Sequence, residues 1–167
     1  MIDYLEYKDD IIIDITYYNV PSDLDLKNFN NVISLRCSYN GIKTIFNFNY
    51  LLKTLNCSYN KIKYLDDLPN TIENLFCCGN PLINLNNLPN SIKILYCCNI
   101  STFHNLDCLP NSVEEVNLTN SNIQIKNIVS SLKTIKKNNI NKEELFYYKK
   151  YSKENKNSLK IIYFKKI

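Results

Sequence analysis

Tryptophan and alanine are absent from this chain, and glycine, histidine, methionine and arginine are scarce, with 2, 1, 1 and 1 residues respectively. Each shortage excludes something. Without alanine, and with 22 isoleucines and 28 asparagines, the composition argues against a helical bundle, because β-branched residues and Asn are mediocre in helix interiors. Short strands joined by Asn-rich turns suit it better. With Gly41 and Gly79 the sole glycines, no phosphate-cradling loop can be written, which excludes nucleotide hydrolysis. His104 is the sole histidine, so any acid–base or triad scheme must run through it with Cys98 or Cys108 as nucleophile. It lies between Phe103 and Leu106 with no identifiable orienting partner, and the expectation is that the protein is not an enzyme. No apolar run approaches the roughly 20 residues needed to cross a bilayer. Nor does Met1 to Asp14, which carries Asp3, Glu6, Asp9 and Asp10, resemble a secretory leader. Seven cysteines, an odd count, without such a leader read as reduced thiols in an intracellular, cytoplasmic setting.

What is present is one domain's worth of chain, 167 residues at 45% hydrophobic content, with its charge unevenly spread. Residues 1–125 hold 8 basic and 13 acidic side chains; residues 126–167 hold 12 lysines and 3 glutamates. The basic character therefore belongs to the C-terminal quarter.

A period of 20 residues organises the middle of the chain. Leu35, Leu55, Leu75 and Leu95 recur at that interval, as do Cys37, Cys57, Cys77 and Cys97, and Asn40, Asn60 and Asn80. The units read VISLRCSYNGI from Val32, LKTLNCSYNKI from Leu52, IENLFCCGNPL from Ile72 and IKILYCCNIS from Ile92. A fifth, VEEVNLTNSNI, begins at Val113 after a unit one residue longer and has Ser121 in the Asn position. Second halves close on I-x-x-F at Ile45 and Phe48, then on L-x-x-L-P-N at 65–70, 85–90 and 106–111. Upstream, Ile12, Ile15 and Tyr17 keep the apolar spacing with Val20 in the Asn position, so residues 1–31 read as an N-terminal cap or degenerate repeat.

The pattern L-x-x-L-x-C/L-x-x-N-x-I/L over residues 10–125 resembles the leucine-rich-repeat family. The L-P-N and L-P-N-S-I-K phrases resemble short-repeat bacterial effectors and the repeats of slime moulds and large amoeba-infecting DNA viruses. That resemblance implies an α/β solenoid with a parallel β-sheet on the concave face, a protein-binding role, and host cytoplasm if the source is viral.

Elementary geometry leads to the same shape. In each unit the L-x-C core is a strand, so Leu75 and Cys77 point inward while Asn74, Phe76 and Cys78 point outward. The recurring Asn suits a buried ladder whose amides satisfy turn backbone groups. Twenty residues leave little room for a convex helix, so that side should be extended, with Pro69, Pro89 and Pro110 ending the units. Residues 126–167 read as a basic, helical C-terminal cap. Ile128, Val129, Leu132 and Ile135 have helical spacing, and a second helix is signalled by Asn141 as N-cap, Glu143 and Glu144 in the first turn and Lys149 and Lys150 near its end. The segment SLKIIYFKKI has the composition of a final strand.

On the concave face a central column runs Arg36, Asn56, Phe76, Tyr96 and Asn117. Beside it lie Ser38, Ser58, Cys78, Cys98 and Thr119, and on the other side Ser34, Thr54, Asn74, Ile94 and Glu115. Phe76, Cys78, Ile94, Tyr96 and Cys98 thus form an outward apolar cluster and the candidate partner-binding site. Four sulfurs at 77, 78, 97 and 98 invite a zinc site, but alternate residues face opposite sides of the sheet and cannot converge, so no metal or cofactor is expected. The function expected is a protein-interaction module working through its concave face. Two rivals are a nucleic-acid or anionic-membrane binder acting through the Lys-rich segment, and an adaptor for host signalling or degradation machinery. Phosphate neutralisation needs only lysine, whereas base readout favours arginine, which that segment lacks, so nucleic acid is the weaker partner.

Overall fold

A computed structural model describes residues 11–106, 109–125, 127–138, 140, 142–154 and 159–164. The chain coils into a parallel β-solenoid. Short strands β1 (Ile12–Asp14), β3 (Ser34–Arg36), β5 (Thr54–Asn56), β6 (Asn74–Phe76), β7 (Ile94–Tyr96), β8 (Glu115–Asn117), β9 (Thr134–Asn138) and β10 (Lys160–Phe164) pair in that order in one eight-stranded sheet. Every pairing is parallel, and the register matches the repeat residue for residue, as in Leu35 opposite Leu55 and Leu75 opposite Leu95. The degenerate first unit is thus a true rung: Ile13 sits opposite Leu35. On the opposite side of the coil, β2 (Asp23–Asp25) and β4 (Thr44–Phe46) make a small second sheet, and no helix occurs among the described residues before Lys142.

Identical residues stack because each rung exposes an apolar edge that the next covers. The inward column Ile13, Leu35, Leu55, Leu75, Leu95, Val116 and Ile135 is buried, as is the cysteine column two residues on. The latter runs Ile15, Cys37, Cys57, Cys77, Cys97, Leu118 and finally Lys137. Burial raises the core thiols well above their ordinary 9.0, Cys57 to about 12, and keeps them neutral packing groups.

The asparagine column forms the expected ladder. Asn60 Nδ2 donates to the Cys37 and Cys57 carbonyls at 3.0 and 2.9 Å, while its Oδ1 accepts the Asn40 and Ile42 amides at 2.9 and 3.0 Å. Asn40 and Asn80 do the same one rung away. Buried Ile100 closes this three-amide ladder at one end. At the other, the strand register that sets Ile13 opposite Leu35 puts half-buried Tyr18 level with Asn40, so Val20, expected in the Asn position, lies level with Ile42 instead.

Turns at the unit ends are fixed by the proline phrase. The Pro69, Pro89 and Pro110 carbonyls accept the amides three residues on, from Ile72, Ile92 and Val113. A parallel ladder of hydroxyls ties the rungs: Thr71, Ser91, Ser112 and Ser131 donate to the Leu52, Ile72, Ile92 and Val113 carbonyls at 2.6 to 2.9 Å.

That ladder corrects the reading of the first C-terminal helix. Residues 134–138 form β9, and the turn before it, closed by the Leu132 amide on the Val129 carbonyl, repeats the proline turns without proline. The phrase SLKTIKK is a further repeat, equivalent to SIKILYC at 91–97. Its apolar residues three apart are the L-x-x-L of a rung rather than one face of a helix. The second helix does form, as α1 (Lys142–Glu154), and β10 adds the expected last strand beside β9. Asn141, expected to cap α1, lies outside the described residues.

Helix α1 is docked by a charge cluster. Lys137, at 3% exposure, extends from the cysteine column and donates to the Ile123 carbonyl at 2.8 Å and to Glu144 at 2.6 Å. Glu144 also accepts the Tyr148 hydroxyl at 2.7 Å, and Tyr148 is fully buried. A lysine in the core is tolerable because all three polar groups find partners.

Candidate functional site

The concave face carries the outward residues of the eight-stranded sheet. Its central column runs Asp14, Arg36, Asn56, Phe76, Tyr96, Asn117 and Lys136, as strand pairing dictates. The ends are charged and the middle is aromatic. Arg36 pairs with Asp14 at 3.6 Å. At the far end Lys136 reaches Glu115 at 2.6 Å and the Tyr96 hydroxyl at 2.9 Å, with its ammonium 5.2 Å from the Tyr96 ring centroid. Tyr96 in turn donates to Glu115. Burial pushes the Glu115 carboxyl up, but hydrogen bonds from Lys136 and Tyr96 outweigh it and hold the group below its ordinary 4.5. This triangle fixes Tyr96, whose ring meets Phe76 edge to face at 5.1 Å.

The five residues expected to form the site do come together, with one correction. Phe76, Ile94 and Tyr96 are half-buried on the concave side, whereas Cys78 and Cys98 are at 8% and 9% exposure. They belong to that side of the sheet but lie in its floor, covered by neighbouring side chains. They carry no disulfide, and the Cys98 amide donates to the Cys78 sulfur at 3.1 Å.

Sequence reading missed the other wall. The residue following each Ser38-type position has positive φ: Tyr17, Tyr39, Tyr59, Gly79, Asn99 and Asn120 lie between 55° and 64°. Asn and Gly take that conformation readily; tyrosine does so at a cost of about 1–3 kcal/mol and only where its surroundings dictate it. Here the surroundings are a stack. Tyr17, Tyr39 and Tyr59 lie face to face at 4.7 and 4.5 Å between centroids, and all three remain exposed. Gly79 continues the column because the Tyr59 ring occupies its side-chain space: a Cβ there would stand 2.5 Å from Tyr59 Cδ1. Asn99 then donates to the Tyr59 hydroxyl at 3.0 Å. The available signal was S-Y-N, S-Y-N, C-G-N, in which Gly replaces Tyr at one position of a strict repeat.

Between the tyrosine stack and the Phe76–Tyr96 pair runs a groove of about 400 Å³, floored by Ser38, Ser58, Cys78 and Cys98. A second hollow, of about 520 Å³, lies where the strands begin, beside the hydroxyl ladder. It is lined by a column of alternating charge, Lys53, Glu73, Lys93 and Glu114, joined on by Lys133. Lys93 pairs with Glu73 at 2.8 Å and Lys133 with Glu114 at 2.6 Å, so four of its five charges are paired internally.

One solved structure with a matching fold is that of YopM from Yersinia enterocolitica WA-314, at a TM-score of 0.56 and 22% identity over 78% of this chain. The fold is a leucine-rich-repeat solenoid. This solenoid spans 28% of the YopM chain, and the likeness is one of architecture. No family model matches the chain, and no curated protein sequence does. No helix of the described residues is long and apolar enough to cross a membrane, and no cluster of three or more metal-ligating side chains occurs among them.

Proposed function

We propose that this leucine-rich-repeat chain is a protein-interaction module that grips a protein partner in the concave groove between the tyrosine stack and the Phe76–Tyr96 pair. The observation that carries the reading is the exposed stack itself. Three tyrosines held in a strained conformation, with rings left accessible, are not something the solenoid needs, since Asn99 and Asn120 fill the same positions without that strain. Aromatic rims around a partly apolar floor are typical of recognition surfaces. The resemblance to effector-type repeats suits a binding scaffold, including an adaptor, better than an enzyme.

The Lys-rich C-terminal segment is the weaker reading. Lys133, Lys136, Lys137 and Lys150 are all in ion pairs with glutamates, which lowers the field available to phosphates.

The decisive experiment is affinity capture with wild type and a Phe76→Asn/Tyr39→Asn variant, followed by a salt titration of the bound fraction. Asn already occupies both columns, at Asn56 and Asn99, so the variant should fold. Loss of a protein partner by the folded variant supports the groove. Unchanged capture, or recovery only of nucleic acid or lipid released steeply by salt, assigns binding to residues 126–167 instead.

A further inference from the structure

We propose that Cys78 and Cys98 form a reversible dithiol–disulfide site in the floor of the concave groove, oxidised by hydrogen peroxide. The two residues stand two positions beyond the Phe76–Tyr96 pair on adjacent parallel strands, and the backbone ladder continues past them through the Gly79 amide on the Cys98 carbonyl at 2.8 Å. Neighbouring strands set the Cα atoms about 4.8 Å apart, inside the window a disulfide requires. The Cys98 amide lies 3.1 Å from the Cys78 sulfur, and Thr119 Oγ1 lies 3.4 Å from the Cys98 sulfur. Unlike the core thiols behind them, which are fully buried, both border the groove and keep 8% and 9% of their surface exposed.

The chemistry follows from that setting. The Cys78 thiol hydrogen-bonds the Cys98 sulfur, and this outweighs the burial that pushes it up, holding Cys98 well below the ordinary thiol range. The Cys98 thiolate attacks one peroxide oxygen; the S–O bond forms, the O–O bond breaks, and the departing hydroxide takes up the proton released from Cys98. Sulfur then attacks sulfur: Cys78 bonds to the sulfenic Cys98, the S–O bond breaks, and hydroxide leaves with the Cys78 proton as water. Two thiols and one peroxide give one disulfide and two waters. Side-chain vectors on parallel strands are themselves parallel, so the bond is strained and readily reduced, as befits a reversible site.

Serine is native to this column at Ser38 and Ser58, so Cys78→Ser and Cys98→Ser keep the fold testable. Folded full-length wild type and both variants are exposed to hydrogen peroxide, blocked with an alkylating reagent and mapped by mass spectrometry. Wild type should lose two alkylatable thiols roughly tenfold or more faster than Cys37 and Cys57 react, and regain them with dithiothreitol. Cys78→Ser should instead trap a dimedone-reactive sulfenic acid at Cys98, and Cys98→Ser should give neither product. The proposal is overturned if folded wild type keeps both thiols under peroxide that oxidises the urea-unfolded chain. It is equally overturned if an intramolecular cross-link survives either substitution, since the bond would then join other cysteines.

Discussion

At the scale of single residues, polar satisfaction rather than apolar area makes certain positions irreplaceable. Asn60 holds the Cys37, Cys57 and Ser58 carbonyls and the Asn40 and Ile42 amides at once. Asn60→Leu adds apolar bulk but strands those groups, each costing about 1–3 kcal/mol when buried. A loss of at least about 3 kcal/mol is expected, read as a lowered urea midpoint at unchanged slope. The tyrosine stack makes the opposite case. Tyr39→Asn forfeits two ring contacts worth about 0.5–1.5 kcal/mol each and relieves a left-handed strain of about 1–3 kcal/mol. Stability should therefore shift by no more than about 2 kcal/mol either way while partner affinity falls tenfold or more, measured by thermal melting and titration on the same preparation. A large stability loss with intact affinity would make the stack a structural device.

Among the elements, the end of the solenoid is held by the buried Lys137–Glu144–Tyr148 cluster. Removing one charge leaves the other uncompensated, so Lys137→Leu alone should cost about 3–5 kcal/mol, whereas Lys137→Leu/Glu144→Leu should recover most of it. Leucine is a fitting replacement because Leu118 precedes Lys137 in that column. Hydrogen exchange across Lys142–Glu154 should quicken in the single variant and return towards wild type in the double. This cluster also marks where sequence reading reaches its limit. Strands β3, β5, β6, β7 and β8 were legible because repeating columns of Leu, Cys and Asn can be satisfied only by stacking, whereas β2 and β4 of the small second sheet lie outside those columns. β9 was not legible, because Leu132 and Ile135 fit a helix as well as a rung, and Lys137 breaks the apolar column of the preceding rungs. Only its partner, seven residues away on α1, explains that lysine. Likewise the Phe76–Tyr96 pair followed from alternation, whereas the tyrosine stack depends on backbone φ and the burial of Cys78 and Cys98 on neighbouring side chains, neither of which is carried by a strand's period of two.

For the whole molecule, a core cysteine in each of four successive rungs couples stability to alkaline pH. Cys37, Cys57, Cys77 and Cys97 are all raised above 9.0 by burial, so their folded values exceed their unfolded ones. A thiol of this kind contributes stability that is fully present below the unfolded value and is lost as pH rises, because the unfolded chain releases its proton first. Glu115 works in the opposite sense: its folded value is depressed, so its contribution is present above 4.5 and is lost as pH falls. Lys136, raised by its hydrogen bond to Glu115, yields only beyond 10.5. In a Cys98→Ser background, which removes the thiol held below its ordinary range, unfolding free energy should hence be flat between about pH 5.5 and 8, then fall from near 9 by up to about 1.4 kcal/mol per pH unit for each core thiol. Urea titrations at pH 8, 9 and 10 under reducing conditions measure that slope, and Cys57→Val should reduce it by one proton's worth. A slope unaffected by Cys57→Val would mean that the thiols ionise alike in both states, and that the cysteine column is less tightly closed to water than its stacking implies.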